Sequence, residues 1–250
     1  MYINTLSEAG STCATFANSA ERDITENDAG QVLTILGGPS PWRQYLQANL
    51  NSNRRDLPAK PIRICDPGEF VTGYRRIFRQ APDPDAQGFV DRRNAMIILK
   101  EFPERNFGKS KLGLALHEAV HLFSHPPGRS NLIRGTVFNL LQHGLLEGLT
   151  QMITEDILTE QCISPMRERW RAYEAFTPVA RRFVASFSPR IVGDAYFLGR
   201  INPLVNLIHI KWTDNAFHRL RELVNQKQTP AALQMIDRLN RPREFQQVFR

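Results

Sequence analysis

The stretch "LALHEAVHLFSH", residues 114–125, puts two histidines and a glutamate into an otherwise apolar helical run. Polar side chains buried without partners are costly, so the trio demands either a hydrogen-bonding shell or a cation. At about 100° per residue, His117 and His121 stand one turn apart on one face, about 40° from each other. Their imidazoles can then meet one ion from the same side. Glu118 falls about 100° from His117, beside such an ion rather than aimed at it. That is the place for a general base acting on a metal-activated water, the arrangement of the H-E-x-x-H motif. Leu112, Leu116, Ala119, Val120 and Phe123 fall on the other side and are expected in the core. The helix should be buried along its back and line a cleft along its front.

The chain has 250 residues and 42% hydrophobic content, enough for one sizeable core or one core with a smaller lobe. Residues 1–57 are polar and mixed, broken by "GGPSP" at 37–41, and read as a lead-in or linker segment. Residues 58–250 read as the catalytic domain, strand-rich over 58–105 and helical over 106–250. "PIRICD" predicts a short strand ending at a "DPG" turn, "VTGYRRIF" (71–78) a second, and "NAMIILKEF" (94–102) a third. "RQAPDPDAQG" between the last two reads as an exposed loop. Beyond Pro103 the pattern turns helical. Ser110 is a candidate N-cap for the H-E-x-x-H helix and "PPG" at 126–128 its stop. Further helices are expected over about 136–161, over 167–187 with Pro178 kinking or splitting it, and over 190–198, 202–223 and 230–239. The plan is α+β: a small mixed or antiparallel sheet, then a helical bundle.

A catalytic zinc takes three protein ligands and leaves a position for water. A histidine ten residues after His117 is excluded, because that position is Pro127. "GLLEGLTQMIT" in the next helix offers Glu147, whose neighbours Gly144 and Gly148 would let that helix approach the first closely. His125 and His143 compete for the same place, His143 also as a group supporting the ligands. Thr150 and Gln151, one turn after Glu147, are placed to hydrogen-bond a ligand. An oxyanion donor would come from downstream, with Tyr173, Tyr196, Arg200 and His209 as candidates. For both tyrosines a packed interior aromatic is the competing reading.

The pairing of "HEAVH" with "EGLTQMIT" resembles the gluzincin-type zinc metallopeptidases. More narrowly, it resembles bacterial peptidases that serve as effectors or toxin domains of type VI, Rhs and contractile injection systems. In that group a helix E-G-[LF]-T-[EQ] follows the H-E-x-x-H helix, and an "AYF-x-G" segment lies downstream, here Ala195 to Gly199. "NAMIILKEF" is similar to the edge strand along which a substrate peptide adds in gluzincins. The resemblance covers about residues 62–210, and its two zinc motifs are the specific part. It implies Zn2+ held by His117, His121 and Glu147, with Glu118 as base, and a peptide or protein substrate. It further implies a delivery or immunity partner, with synthesis in the cytoplasm and export by a non-Sec route. The oxyanion donor does not carry over.

Composition narrows the alternatives. The net charge of +7 comes almost wholly from 26 arginines against 6 lysines, scattered along the chain. Nucleic-acid binding would gather them on one face with interleaved aromatics, so no nucleic-acid partner is expected. No apolar run approaches eighteen residues, so no membrane span is expected. The N-terminus lacks the basic and apolar regions of a Sec signal. Three cysteines at wide spacing, Cys13, Cys65 and Cys162, suggest no disulfide framework and a reducing compartment. A zincin fold kept only for binding is the principal alternative to a peptidase, although binding a metal does not itself require Glu118.

Overall fold

The computed structural model describes residues 25–53, 57–84, 86–101, 111–124, 130–163, 173 and 175–241. Ser110, His125 and the 126–128 stop lie outside them. The fold is α+β as expected: mostly helical, with a three-stranded mixed sheet. Two compact units are present, one comprising residues 1–123 and 153–170, the other 124–152 and 171–250.

In the first unit, β1 (Ile62–Cys65), β2 (Gly88–Asp91) and β3 (Met96–Lys100) order as β1-β3-β2. β1 runs parallel to β3, with Ile62 beside Ile97, and β2 runs antiparallel, with Val90 beside Ile97. β3 is therefore central. The stretch 94–102 cannot serve as an edge strand, because both its sides are already paired; the edges are β1 and β2. The "VTGYRRIF" stretch is not a strand either. It belongs to a helix, α3 (Pro67–Phe78). The "DPG" triplet starts this helix rather than making a turn. Asp66 Oδ1 accepts from Gly68 N at 2.8 Å and Glu69 N at 3.0 Å, and Pro67 opens the first turn, where its missing N–H costs nothing. Phe70, Tyr74, Ile77 and Phe78 then recur at helical spacing and close over Phe89 and Cys65 on one face of the sheet.

The other face of the sheet carries Ile97 and Leu99, both buried, and packs on helix α4 (Lys111–Phe123). Behind α4 lie two helices from the segment read as lead-in or linker. These are α1 (Ala29–Leu36) and α2 (Arg43–Asn53), which bury Val32, Ile35, Leu36, Trp42 and Leu46. Polar contacts tie them down: Trp42 Nε1 donates to Asp156 Oδ2 at 2.9 Å, and Gln161 Nε2 donates to the Ile35 carbonyl.

Helix α5 (Ser130–Glu160) contributes to both units, since residues from Ile153 onward belong to the first. It is not one straight rod. Gln142 sits at φ 59°, ψ −178°, so one helix ends before it and another begins after it. That region is populated freely by glycine alone and costs about 1–3 kcal/mol for other residues. The second unit continues through α6 (Thr177–Phe187), α7 (Pro189–Leu198), α8 (Ile201–Lys211), α9 (Asp214–Asn225) and α10 (Thr229–Leu239). Of the helix expected over 167–187, the described part is α6, which starts at Thr177 with Pro178 in its first turn; residues 167–172 and 174 lie outside the described ones. The expected single helix over 202–223 is instead two. α8 closes at Trp212, and Thr213 caps α9 by accepting from Ala216 N at 3.2 Å. Phe183, Phe187, Trp212 and Phe217 form an aromatic core, with Phe187 and Trp212 centroids 4.5 Å apart. Among the described residues no helix is long and apolar enough to cross a membrane.

Candidate metal centre

Helix α4 presents His117 and His121 one turn apart, their ring centroids 4.9 Å from each other. His117 is 1% exposed and Glu118 4%, while Leu112, Leu116, Ala119, Val120 and Phe123 are buried, as their spacing predicts. The C-terminal end of this helix is held from outside. Asn49 Nδ2 donates to the Phe123 carbonyl at 2.8 Å, and the Arg92 guanidinium donates to the carbonyls of His121 and Leu122. Three terminal carbonyls thus gain donors, and a cation stands where the helix dipole favours one. Arg92 thereby holds the backbone of His121 itself, and Asn49 the last residue of the helix.

Glu118 lies against β2. A Cβ added to Gly88 would come within 2.8 Å of Glu118 Cγ and Oε1. Only glycine at position 88 leaves the carboxylate room to lie where it does, a role the sequence did not announce.

Glu147 belongs to the second turn of the helix that restarts after Gln142. Its side chain is 13% exposed, and its Oε1 stands 3.7 Å from Nδ1 of His143, a largely exposed residue. One ligand atom from each of His117, His121 and Glu147 lies within 4.8 Å of the others. Ligand atoms about 2.0–2.2 Å from a shared zinc stand roughly 3.3 Å apart. Two imidazoles and a carboxylate are also the donor chemistry of such an ion. The cluster does not include His143.

The glycines beside Glu147 serve other neighbours than the sequence suggested. A Cβ on Gly148 would meet the Phe176 carbonyl oxygen at 2.8 Å, and one on Gly144 would meet Val224 Cγ1 at 2.8 Å. They make room for the turn before α6 and for α9. Thr150 and Gln151 are both buried. Thr150 Oγ1 donates to the Leu146 carbonyl at 2.9 Å, and its hydroxyl pairs with the Tyr196 hydroxyl at 2.6 Å. Tyr196 itself is 1% exposed on α7, braced against the helix of Glu147. The helix expected around Tyr173 falls on residues outside those described. Tyr173 itself lies half-buried before α6, its carbonyl accepting from Phe176 N and Thr177 Oγ1. Arg200 is exposed at the start of α8, and His209 pairs with Asp214 Oδ1 at 2.7 Å.

A cavity of about 300 Å³ lies on the opposite face of the sheet, under α3, and is lined by Arg63, Cys65, Arg76, Phe89, Asp91 and Ile98. Burial pushes the Cys65 thiol above its ordinary pKa, with Glu69 and Asp66 adding to the rise and Arg63 opposing it. Cys65 is free. Compared with family models, curated proteins and solved structures, the chain matches none.

Proposed function

We propose that this protein is a zinc-dependent peptidase of gluzincin type, with His117, His121 and Glu147 as ligands and Glu118 as general base. The observation that carries the reading is the meeting of one ligand atom from each of the three residues within 4.8 Å. It is supported by the carboxylate of Glu118, adjacent in sequence to His117 but seated against Gly88 rather than in the cluster. A site kept for binding alone would have no use for that fourth group.

When bound, zinc supplies Lewis acidity, lowering the pKa of a water towards 7 and polarising a carbonyl. The chain's own residues do the rest. Glu118 Oε takes the proton of the attacking water and hands it to the leaving amine nitrogen. The near-complete burial of Glu118 keeps bulk water from competing for that proton. Arg92 and Asn49 keep the end of α4 from fraying, so the two imidazoles keep a fixed spacing. On the family resemblance the substrate is a polypeptide, the protein acts as an exported effector, and a delivery or immunity protein is its partner.

The test is Glu118→Gln. Metal analysis of the purified chain should return about one zinc per molecule for both forms, with peptide cleavage lost in the variant. Cleavage by the variant at the wild-type rate removes Glu118 from the mechanism. A chain that takes up zinc yet cleaves no member of a broad peptide library is a binding protein.

A further inference from the structure

The break at Gln142 does more than bend α5, and the following inference rests on the zinc reading above. Wherever a helix stops and restarts, the last carbonyls of one segment and the first N–H groups of the next lose their partners. Helix α9 supplies them here. Arg221 Nη1 donates to the carbonyls of Asn139 at 3.0 Å and Leu140 at 2.9 Å, at the end of the first segment. Asn225 Oδ1 accepts from Gly144 N at 2.8 Å, at the start of the second. The Asn225 amide also donates to Gln142 Oε1 at 2.8 Å, holding the side chain of the strained residue itself.

Arg221 and Asn225 are four residues apart, so one face of α9 spans the break from both sides. The fit is close. A Cβ on Gly144 would lie 3.0 Å from Asn225 Oδ1 and 2.8 Å from Val224 Cγ1. Arg221 is in turn seated over the Phe217 ring, 5.0 Å from its centroid. Burial lowers the Arg221 pKa, yet a guanidinium remains a donor throughout the working range. Glu147 follows Gly144 by three residues, so the direction in which the helix restarts decides where its carboxylate lies.

We infer that Arg221 and Asn225 are positioning residues for the third metal ligand: by holding the Gln142 break, they aim Glu147 at the two histidines. Outer residues that orient a ligand are worth about 10- to 100-fold in metal affinity.

The test uses the full chain titrated with Co2+, which reports affinity and, through its visible absorption, the ligand geometry. Asn225→Ala should bind Co2+ at least about 10-fold more weakly and with an altered spectrum, at unchanged far-ultraviolet helix content. Asn225→Asp keeps an acceptor for Gly144 N and should stay within about 3-fold of wild type with the wild-type spectrum. Arg221→Met keeps the stem and removes the donors, so it should also weaken binding by about 10-fold. An Asn225→Ala protein with wild-type affinity and spectrum overturns the inference, as does an Asp variant as damaged as the Ala one. Should the Ala variant not fold, the Asp and Met variants decide by the same criteria. A wild-type chain that binds no cobalt sinks the zinc reading and the inference with it. Tight binding by wild type and all variants alike sinks only the inference.

Discussion

Replacing Gly88 with alanine tests the seating of Glu118 by two independent measurements. The added Cβ would stand 2.8 Å from Glu118 Cγ and Oε1 and 3.0 Å from Cδ. Ordinary contacts fall at about 3.5–4.0 Å, so roughly 0.7–1.2 Å must be yielded by the carboxylate or by β2. Glu118 is 4% exposed and has little free space to move into. Overpacking of this kind costs about 1–3 kcal/mol. Without the clash the same change would stabilise, because glycine within a strand costs about 0.5–1 kcal/mol relative to alanine. The two cases differ in sign. At about 2–4 °C per kcal/mol for a chain of this size, calorimetry should show Tm falling by several degrees. On the proposed peptidase reading, in which Glu118 is the base and not a ligand, the effect on rate is larger: a misplacement near 1 Å can cost about 100-fold, so kcat/KM on a fluorogenic peptide should fall by about that factor at unchanged zinc content. A raised Tm together with undiminished kcat/KM would refute the reasoning, since Glu118 would then not be packed against β2.

Three further outcomes follow from the same contacts. Arg92→Ala removes the donors to the His121 and Leu122 carbonyls and should destabilise by about 1–2 kcal/mol in urea unfolding; a cost near zero would mean that water replaces the guanidinium without loss. Trp42→Phe deletes the bond to Asp156 in a buried setting and should cost about 1–2 kcal/mol by the same assay, whereas a neutral result would detach α2 from the core. The buried Cys65 thiol, with its raised pKa, holds less thiolate at pH 8 than a free cysteine and is shielded as well. Its alkylation by iodoacetamide, located by mass spectrometry, should be slow in the native protein and fast in guanidinium; equal rates would contradict its burial.

What the sequence determined by itself is what a single helix or strand determines. His117 and His121 share a face because helical geometry admits nothing else, and the apolar residues opposite them are buried for the same reason. The α+β plan was legible in the change of periodicity beyond Pro103. Local signals also misled. Val71, Tyr74 and Phe78 favour strands by composition, yet the Asp66 cap and the four-residue spacing of Phe70, Tyr74 and Phe78 make that stretch a helix. The four residues of β2 are too few to carry a pattern, and they form a strand because β3 offers them an edge. Nothing in "NLLQHGLL" announces that a helix stops at Gln142. The break persists because Arg221 and Asn225, about eighty residues on, satisfy the backbone groups it opens. Likewise Gly88 reads as a loop glycine until Glu118 is seen against it. Spacing along a chain records which side chains share a face, because the backbone repeat is fixed; which faces meet depends on packing between distant segments, and that only the tertiary structure decided.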